Sequence, residues 1–292
     1  MKLHTDCILC AIRGILNLFK KGLIDEKYKE EILRRVLKYY SETDYNKLTL
    51  TASKETKRII YEISGVADPF KPLKDKFNKK AMACSEEYRT LIKTSPNPFD
   101  TAMRLAIAGN IIDFGPARPF DVEKKIEEVL KADFPIDDSK ELIEQIKKAK
   151  SILYLGDNTG EIVFDKLFLE AINHNNVTFA VRHSPVLNDA TMEDALEVGI
   201  DKVVKKVITN GDNAPGTILD NVSEEFLEYF SSADVIISKG QGNFEGLSDV
   251  RDKNIFFLLT IKCELIAEDI NVKYGDCIVK SALKHQVKIL KG

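Results

Sequence analysis

Histidine is scarce in this 292-residue chain, four in all, and no two stand at metal-ligand spacing. Tryptophan is absent, and the five cysteines make an odd number, which excludes a fully paired disulfide framework. Cys7 and Cys10 form one CxxC, while Cys84, Cys263 and Cys277 stand singly. A structural zinc site needs two such pairs, or a pair with close histidines. His4 would add one ligand at most, so zinc is not expected. No strand pattern precedes the pair, which removes a thioredoxin-like reading. Two readings stay open: a redox pair at a helix N-terminus, where thiolates are stabilised, or two thiols sharing one helical face. No apolar run approaches the length of a membrane span. Residues 1–20 hold Asp6 and Arg13 within their apolar pattern and offer no small-residue cleavage site. Neither a membrane partner nor a signal peptide is therefore expected, and the location reads as cytoplasmic. Net charge is only −3, which argues against a nucleic-acid partner but leaves room for a local cationic pocket.

What is present describes an ordinary globular protein, 44% hydrophobic and 30% charged, and long enough for two domains. Ile8, Ala11, Ile12, Ile15, Leu16 and Phe19 recur at helical spacing across 6–22, and Gly22 stops that helix. Further helical patterns cover 26–41, 51–66, 72–93, 121–132 and 137–149. The stretch 99–112 is apolar and built of small residues. Its end, Gly109-Asn-Ile-Ile-Asp-Phe-Gly115, sets Asn110 and Asp113 on adjacent turns of one face. Such residues either cap a loop or point into a site. From Ser151 the rhythm changes to strands at 152–155, 177–181, 203–208, 234–238 and 254–259, with an edge strand near 278–279. Strands alternating with helices predict an α/β fold with a doubly wound, mostly parallel sheet over 149–292, following an all-helical domain over 1–148.

Polar residues gather at each predicted strand exit. In such a sheet the exits share one edge, where ligands bind beside helix N-termini. The first exit carries Asp157 and Asn158, two hard oxygen donors suited to a divalent cation, or equally suited to cap a helix. Asp189, near the second exit, adds a carboxylate, and the three together suit magnesium or manganese. Lys239 and Lys262 stand at the fourth and fifth exits, and Gly240 and Gly242 would let backbone amides approach an anion. A metal, lysines and exposed amides are what phosphoryl chemistry requires. Each signal is weak alone, since lysines after strands are usually solvated and glycines there usually turn. Other fingerprints are missing: GxGxxG, GxxxxGK[ST] and GxSxG do not occur, and an Asp-x-Asp nucleophile motif fails at Thr159.

Asp157-Asn-Thr-Gly-Glu-Ile-Val-Phe-Asp165, with Ala108-Gly-Asn-Ile-Ile-Asp113 before it and Lys239-Gly-Gln-Gly-Asn243 after it, resembles the metal-dependent damage-control phosphatases. That family, long a domain of unknown function, includes phosphatase regions joined to some pantothenate kinases and the acidic-residue methyltransferase-like proteins. Cys7-Ile-Leu-Cys10 resembles the CxxC of its prokaryotic and archaeal subfamily. The resemblance covers nearly the whole chain. It implies a helical region packed on a Rossmann-like domain, with a divalent metal between them held by Asp157, Asn158 and Asp189. Leu187-Asn-Asp-Ala190 departs there from the family's valine-serine-aspartate form. Lys239 and Lys262 match the phosphate-site lysines. Manganese, cobalt, nickel or magnesium is implied as cofactor. The implied substrates are phosphate monoesters of small or damaged metabolites, such as sugar phosphates, phosphopantetheine derivatives or nucleotides.

The expected function is thus metal-dependent hydrolysis of small phosphorylated metabolites. Asp157, Asn158 and Asp189 would hold the metal, and Lys239 and Lys262 would balance developing charge. Glu161 would orient water or act as base, or else serve the helix macrodipole. Asn110, Asp113, Gly240 and Asn243 would line the substrate side. Two other classes are weighed. An S-adenosylmethionine-dependent carboxyl methyltransferase is suggested by the family's eukaryotic relatives, although no glycine-rich methyl-donor loop is present. A redox-responsive metal-binding protein would be built on Cys7 and Cys10.

Overall fold

Ile152, Leu153, Tyr154 and Leu155 are all buried, because the strand they form, β1 (Ile152–Leu155), is covered on both faces. The computed structural model describes residues 1–109 and 119–284. The other strands are β2 (Val177–Val181), β3 (Lys206–Thr209), β4 (Val235–Lys239), β5 (Ile255–Thr260) and β6 (Cys277–Ser281). They lie in one sheet of order β3-β2-β1-β4-β5-β6, with β1 to β5 parallel and β6 antiparallel to β5. Leu155 stands between Ala180 of β2 and Ser238 of β4. The order reverses between β1 and β4, and that reversal is the switch point at which doubly wound sheets open a crevice.

Seven helices precede the sheet among the described residues: α1 (Asp6–Lys20), α2 (Lys29–Glu42), α3 (Thr49–Ser64), α4 (Lys71–Thr94), α5 (Pro98–Gly109), α6 (Pro119–Lys131) and α7 (Ser139–Lys148). Five alternate with the strands: α8 (Glu161–Ile172), α9 (Met192–Val198), α10 (Glu224–Ser232), α11 (Gly240–Leu247) and α12 (Glu264–Asp269). Strand alternation sorts them. Ile152 and Tyr154 face the core shared with α5 and α8, whereas Leu153 and Leu155 face Phe226 and Phe230 of α10 and Phe244 of α11. Helix α8 is apolar nearly all round because it lies between the sheet and α4 and α5. Helices α1 to α3 close a core of their own around Ile15, Phe19, Ile32, Val36, Tyr40 and Ile59. Leu50 of α3 reaches across to Ala214 and Ile218, joining that bundle to the strand-exit side of the sheet.

The chain is therefore α/β, with a Rossmann-like, mostly parallel sheet and helices N-terminal to it. The third strand begins three residues later than the sequence pattern predicts. Val203 and Val204 close a 3-10 turn by donating to the Ile200 carbonyl, so β-branched residues here pack a turn. The last strand is longer than predicted. Asn110 and Asp113 lie outside the described residues. No helix among the described residues is long and apolar enough to cross a membrane.

Candidate functional site

Beyond β1 the chain does not simply turn into α8. Ala190 N–H donates to the Asp157 carbonyl at 2.8 Å, Thr159 N–H donates to the Asn188 carbonyl at 2.9 Å, and Asn158 pairs with Asp189. This short ladder sets Asp157 and Asn158 beside Asp189, about thirty positions later in sequence. The N-cap of α8 is Gly160, with φ +77° and no side chain to cap with. Its N–H instead meets Asn78 Oδ1 of α4 at 2.8 Å. The N-cap position of α8 is thus held by neither Asp157 nor Asn158, the alternative reading of this turn.

Asp157 and Asp189 are 7% and 3% exposed. Buried Arg182, the residue after β2, donates from Nε to Asp189 Oδ2 at 2.7 Å, and its Nη2 lies 3.8 Å from Asp157 Oδ1. Asn158 Nδ2 donates to Asp157 Oδ2 at 2.7 Å and to Glu161 Oε2 at 2.9 Å. Glu161 Oε1 accepts from Lys239 Nζ at 2.8 Å. That ammonium also donates to Asp165 Oδ1 and, at 2.9 Å, to the Ala106 carbonyl of α5. Tyr154 O–H donates to Asp165 Oδ1 at 2.7 Å. Lys239, Glu161 and Asp165 are wholly enclosed. Among the described residues, the four buried carboxylates Asp157, Glu161, Asp165 and Asp189 gather around the buried cations Arg182 and Lys239.

Asp157, Asp165 and Asp189 resist ionising. Burial, then Glu161 and Asp189, push Asp157 well above the usual carboxylate range, against the pull of Arg182 and Lys262. Burial raises Asp189 even beside Arg182, and raises Asp165 to about 6 even beside Lys239. Burial would lower the Lys239 ammonium, but Asp165 and Glu161 outweigh it and hold the group above the ordinary lysine range. A carboxyl whose pKa is higher folded than unfolded binds more protons in the folded state, so its contribution to stability is lost as pH rises between the two values. For Asp165 that window runs from 3.8 to about 6, and its cost reaches about 3 kcal/mol at most. In chelator, the thermal midpoint is expected to fall by several degrees from pH 4 to pH 7, and to fall less in Asp165→Asn. A slope unchanged in that variant would contradict the assignment.

The β4 exit closes the site. Gly240 opens α11 with φ +76°, and a Cβ there would stand 1.9 Å from Asp157 Oδ2, so only glycine fits against this carboxylate. Buried Asn243 ties the two exits together. Its Nδ2 donates to the carbonyls of Gly156 and Lys239, and its Oδ1 accepts from Arg182 and from Thr217 O–H. Lys262 is exposed beyond β5, with its backbone N–H held by Gln241 Oε1 at 2.8 Å. Lys57 of α3 lines the same cavity as Lys262 from the helical side, and burial lowers its pKa against the pull of Asp68 and Asp189. These two lysines form a cationic rim.

The structure thus brings together Asp157, Asn158, Asp189, Glu161, Lys239, Gly240 and Asn243, and sets Lys262 at the edge. Cys7 and Cys10 are free thiols of α1 that line a neighbouring cavity, and burial pushes the Cys7 thiol up, away from thiolate character. Sequence reasoning missed Arg182, Asp165, Lys57 and Asn78. A signal existed for one of them: Asp165 lies four residues after Glu161, on the same helical face. A separate acidic group, Asp75, Asp194 and Glu197, gathers between α4 and α9. There Lys71 pairs with Asp75, Lys74 with Asp194, and Asn78 donates to Glu197.

Buried oxygen donors at the switch point of an α/β sheet, rimmed by lysines, suit a divalent cation and a phosphoryl group. Known proteins agree in kind. A damage-control phosphatase of Pyrococcus horikoshii is 37% identical over 280 residues, spanning 94% of this chain and 96% of its own. One from Archaeoglobus fulgidus is 35% identical over 288 residues, spanning 96% and 99%. The crystal structure of a DUF89 family protein from Pyrococcus horikoshii superposes with a TM-score of 0.87 at 36% identity, over 97% of this chain and 99% of that one. Residues 3–278 match the model of the damage-control phosphatase ARMT1-like domain, and the chain belongs to that family.

Proposed function

We propose that this protein is a metal-dependent phosphatase that hydrolyses phosphate monoesters of small metabolites, with Asp157, Asn158 and Asp189 holding the cation. The observation that carries this reading is the gathering of oxygen donors from two strand exits, Asp157, Asn158 and Asp189 with Glu161 beside them, at the β1/β4 switch point. The donors fit: two carboxylates and a carboxamide are hard oxygen ligands. A bound divalent cation would supply charge neutralisation for the phosphoryl oxygens and would acidify a water.

The chain's own residues do the rest. Asn158 gives its amide nitrogen to Asp157 and Glu161, an orientation that turns its oxygen away from these carboxylates. Glu161 has one oxygen on Asn158 and the other on Lys239, so it acts as a positioning residue for the carboxamide. Lys239 is enclosed with Glu161 and Asp165 and acts through them. Among the described residues, the rim lysines Lys57 and Lys262 would meet the phosphoryl group. In the reaction a water oxygen bonds to phosphorus, the ester P–O bond breaks, and the leaving alkoxide takes a proton.

The test uses protein stripped by chelator and supplied with manganese, cobalt, nickel or magnesium. Phosphate release from sugar phosphates, phosphopantetheine derivatives and nucleoside monophosphates should require one of these ions. Release that persists in chelator, or none with any ion, would overturn the proposal.

A further inference from the structure

Helix α1 carries a glycine in its middle, where alanine would make a firmer helix. Packing does not require it, since nothing lies within 4 Å of where a Cβ on Gly14 would stand. The open side of Gly14 faces a cavity of about 400 Å³ between α1, α3 and α11. The cavity's body is apolar, walled by Ile15, Leu18, Ile60, Phe70 and Val186. Its polar groups include Lys57, Gln241 and Lys262. Leu187 and Gly242, each two residues from Asp189 or Gly240 of the site, also line it, and the Val186 carbonyl accepts from Asp189 N–H at 3.0 Å. The apolar chamber therefore opens beside the carboxylates. Cys7, Cys10 and Cys263 contribute to its wall as small, weakly polar side chains. A chamber of this size, mostly apolar with a few polar groups, has the character of a small-molecule site. A short, fully hydroxylated alcohol would leave most of that apolar wall uncovered.

We propose that this cavity receives the alcohol part of the substrate, and that the enzyme selects phosphate monoesters whose alcohol carries an alkyl chain or an aromatic ring. The inference rests on the phosphatase reading and names the substrate class of that same site. The phosphoryl group lies between the carboxylates and the lysine rim, and the apolar body extends along α1 past Gly14.

The experiment is a steady-state series of ethyl, butyl, hexyl and 2-phenylethyl phosphates, whose leaving alkoxides are chemically alike. Each methylene that enters the cavity is worth about threefold to fourfold in kcat/KM, so hexyl phosphate should exceed ethyl phosphate by about 100-fold. Gly14→Phe fills the cavity from α1 and should bring that ratio to within about threefold of one. Gly14→Ala should keep the ratio above about 30-fold. Thermal midpoints of both variants exclude unfolding as the cause. A flat series in the wild type, with ethyl phosphate turned over, overturns the inference and leaves the phosphatase reading standing. An unchanged ratio in Gly14→Phe also overturns it. No turnover of any ester with any of the four metals removes the phosphatase reading and this inference with it.

Discussion

Asp157→Asn should abolish cation-dependent phosphate release while making the metal-free protein more stable. The loss of turnover should go well beyond the roughly 10–100-fold that follows removal of a ligand-orienting partner. The gain in stability has the opposite origin. Burial, Glu161 and Asp189 all disfavour a charge on Asp157, so a neutral amide of nearly the same shape relieves a strained group and still accepts from Asn158. A functional carboxylate kept at a cost to the fold is the usual signature of a site preorganised for a ligand. Phosphate release in saturating manganese and the thermal midpoint in chelator, both at pH 7, measure the two halves. Undiminished turnover, or a lower midpoint, would count against the assignment.

Lys239→Met should act in the reverse sense and chiefly on the fold. Removing the ammonium leaves Glu161 and Asp165 buried without their shared partner. Breaking a buried pair in this way costs about 3–5 kcal/mol, which in a chain of this size lowers the midpoint by about 10 °C. The triple variant Lys239→Met, Glu161→Gln, Asp165→Asn should recover most of that loss, because a neutral, well-packed replacement of an ion cluster is often tolerated. Turnover should not return with the fold, since the amide that replaces Glu161 no longer offers Asn158 a carboxylate. If Lys239→Met kept the wild-type midpoint and only raised KM, the lysine would instead be meeting substrate directly.

These two side chains also show what a sequence discloses and what it hides. Asp157 and Asn158 were legible because their meaning is local: an apolar strand, a glycine and a helix place them at an exit whatever the rest of the chain does. Lys239 was legible only as a cation at another exit. Its partners lie 74 and 78 positions away, on a face of α8 that turns inward only once α5 covers it. Arg182 follows β2 directly and meets Asn243 from 61 positions away, a pairing set by strand order, which periodicity does not reveal. The strand positions followed from β-branched and aromatic runs, and the one clear offset, at β3, arose where Val203 and Val204 pack a turn. Helix α10 is amphipathic but short, nine residues, so its periodicity is a weak signal beside the strands around it.

The most direct test of the account is where a divalent cation settles. Crystals soaked in manganese and measured for anomalous scattering should show a peak about 2.0–2.6 Å from side-chain oxygens of Asp157, Asn158 and Asp189, and that peak should vanish in Asp157→Asn. A peak confined to Asp75, Asp194 and Glu197, or none near Asp157, would contradict it.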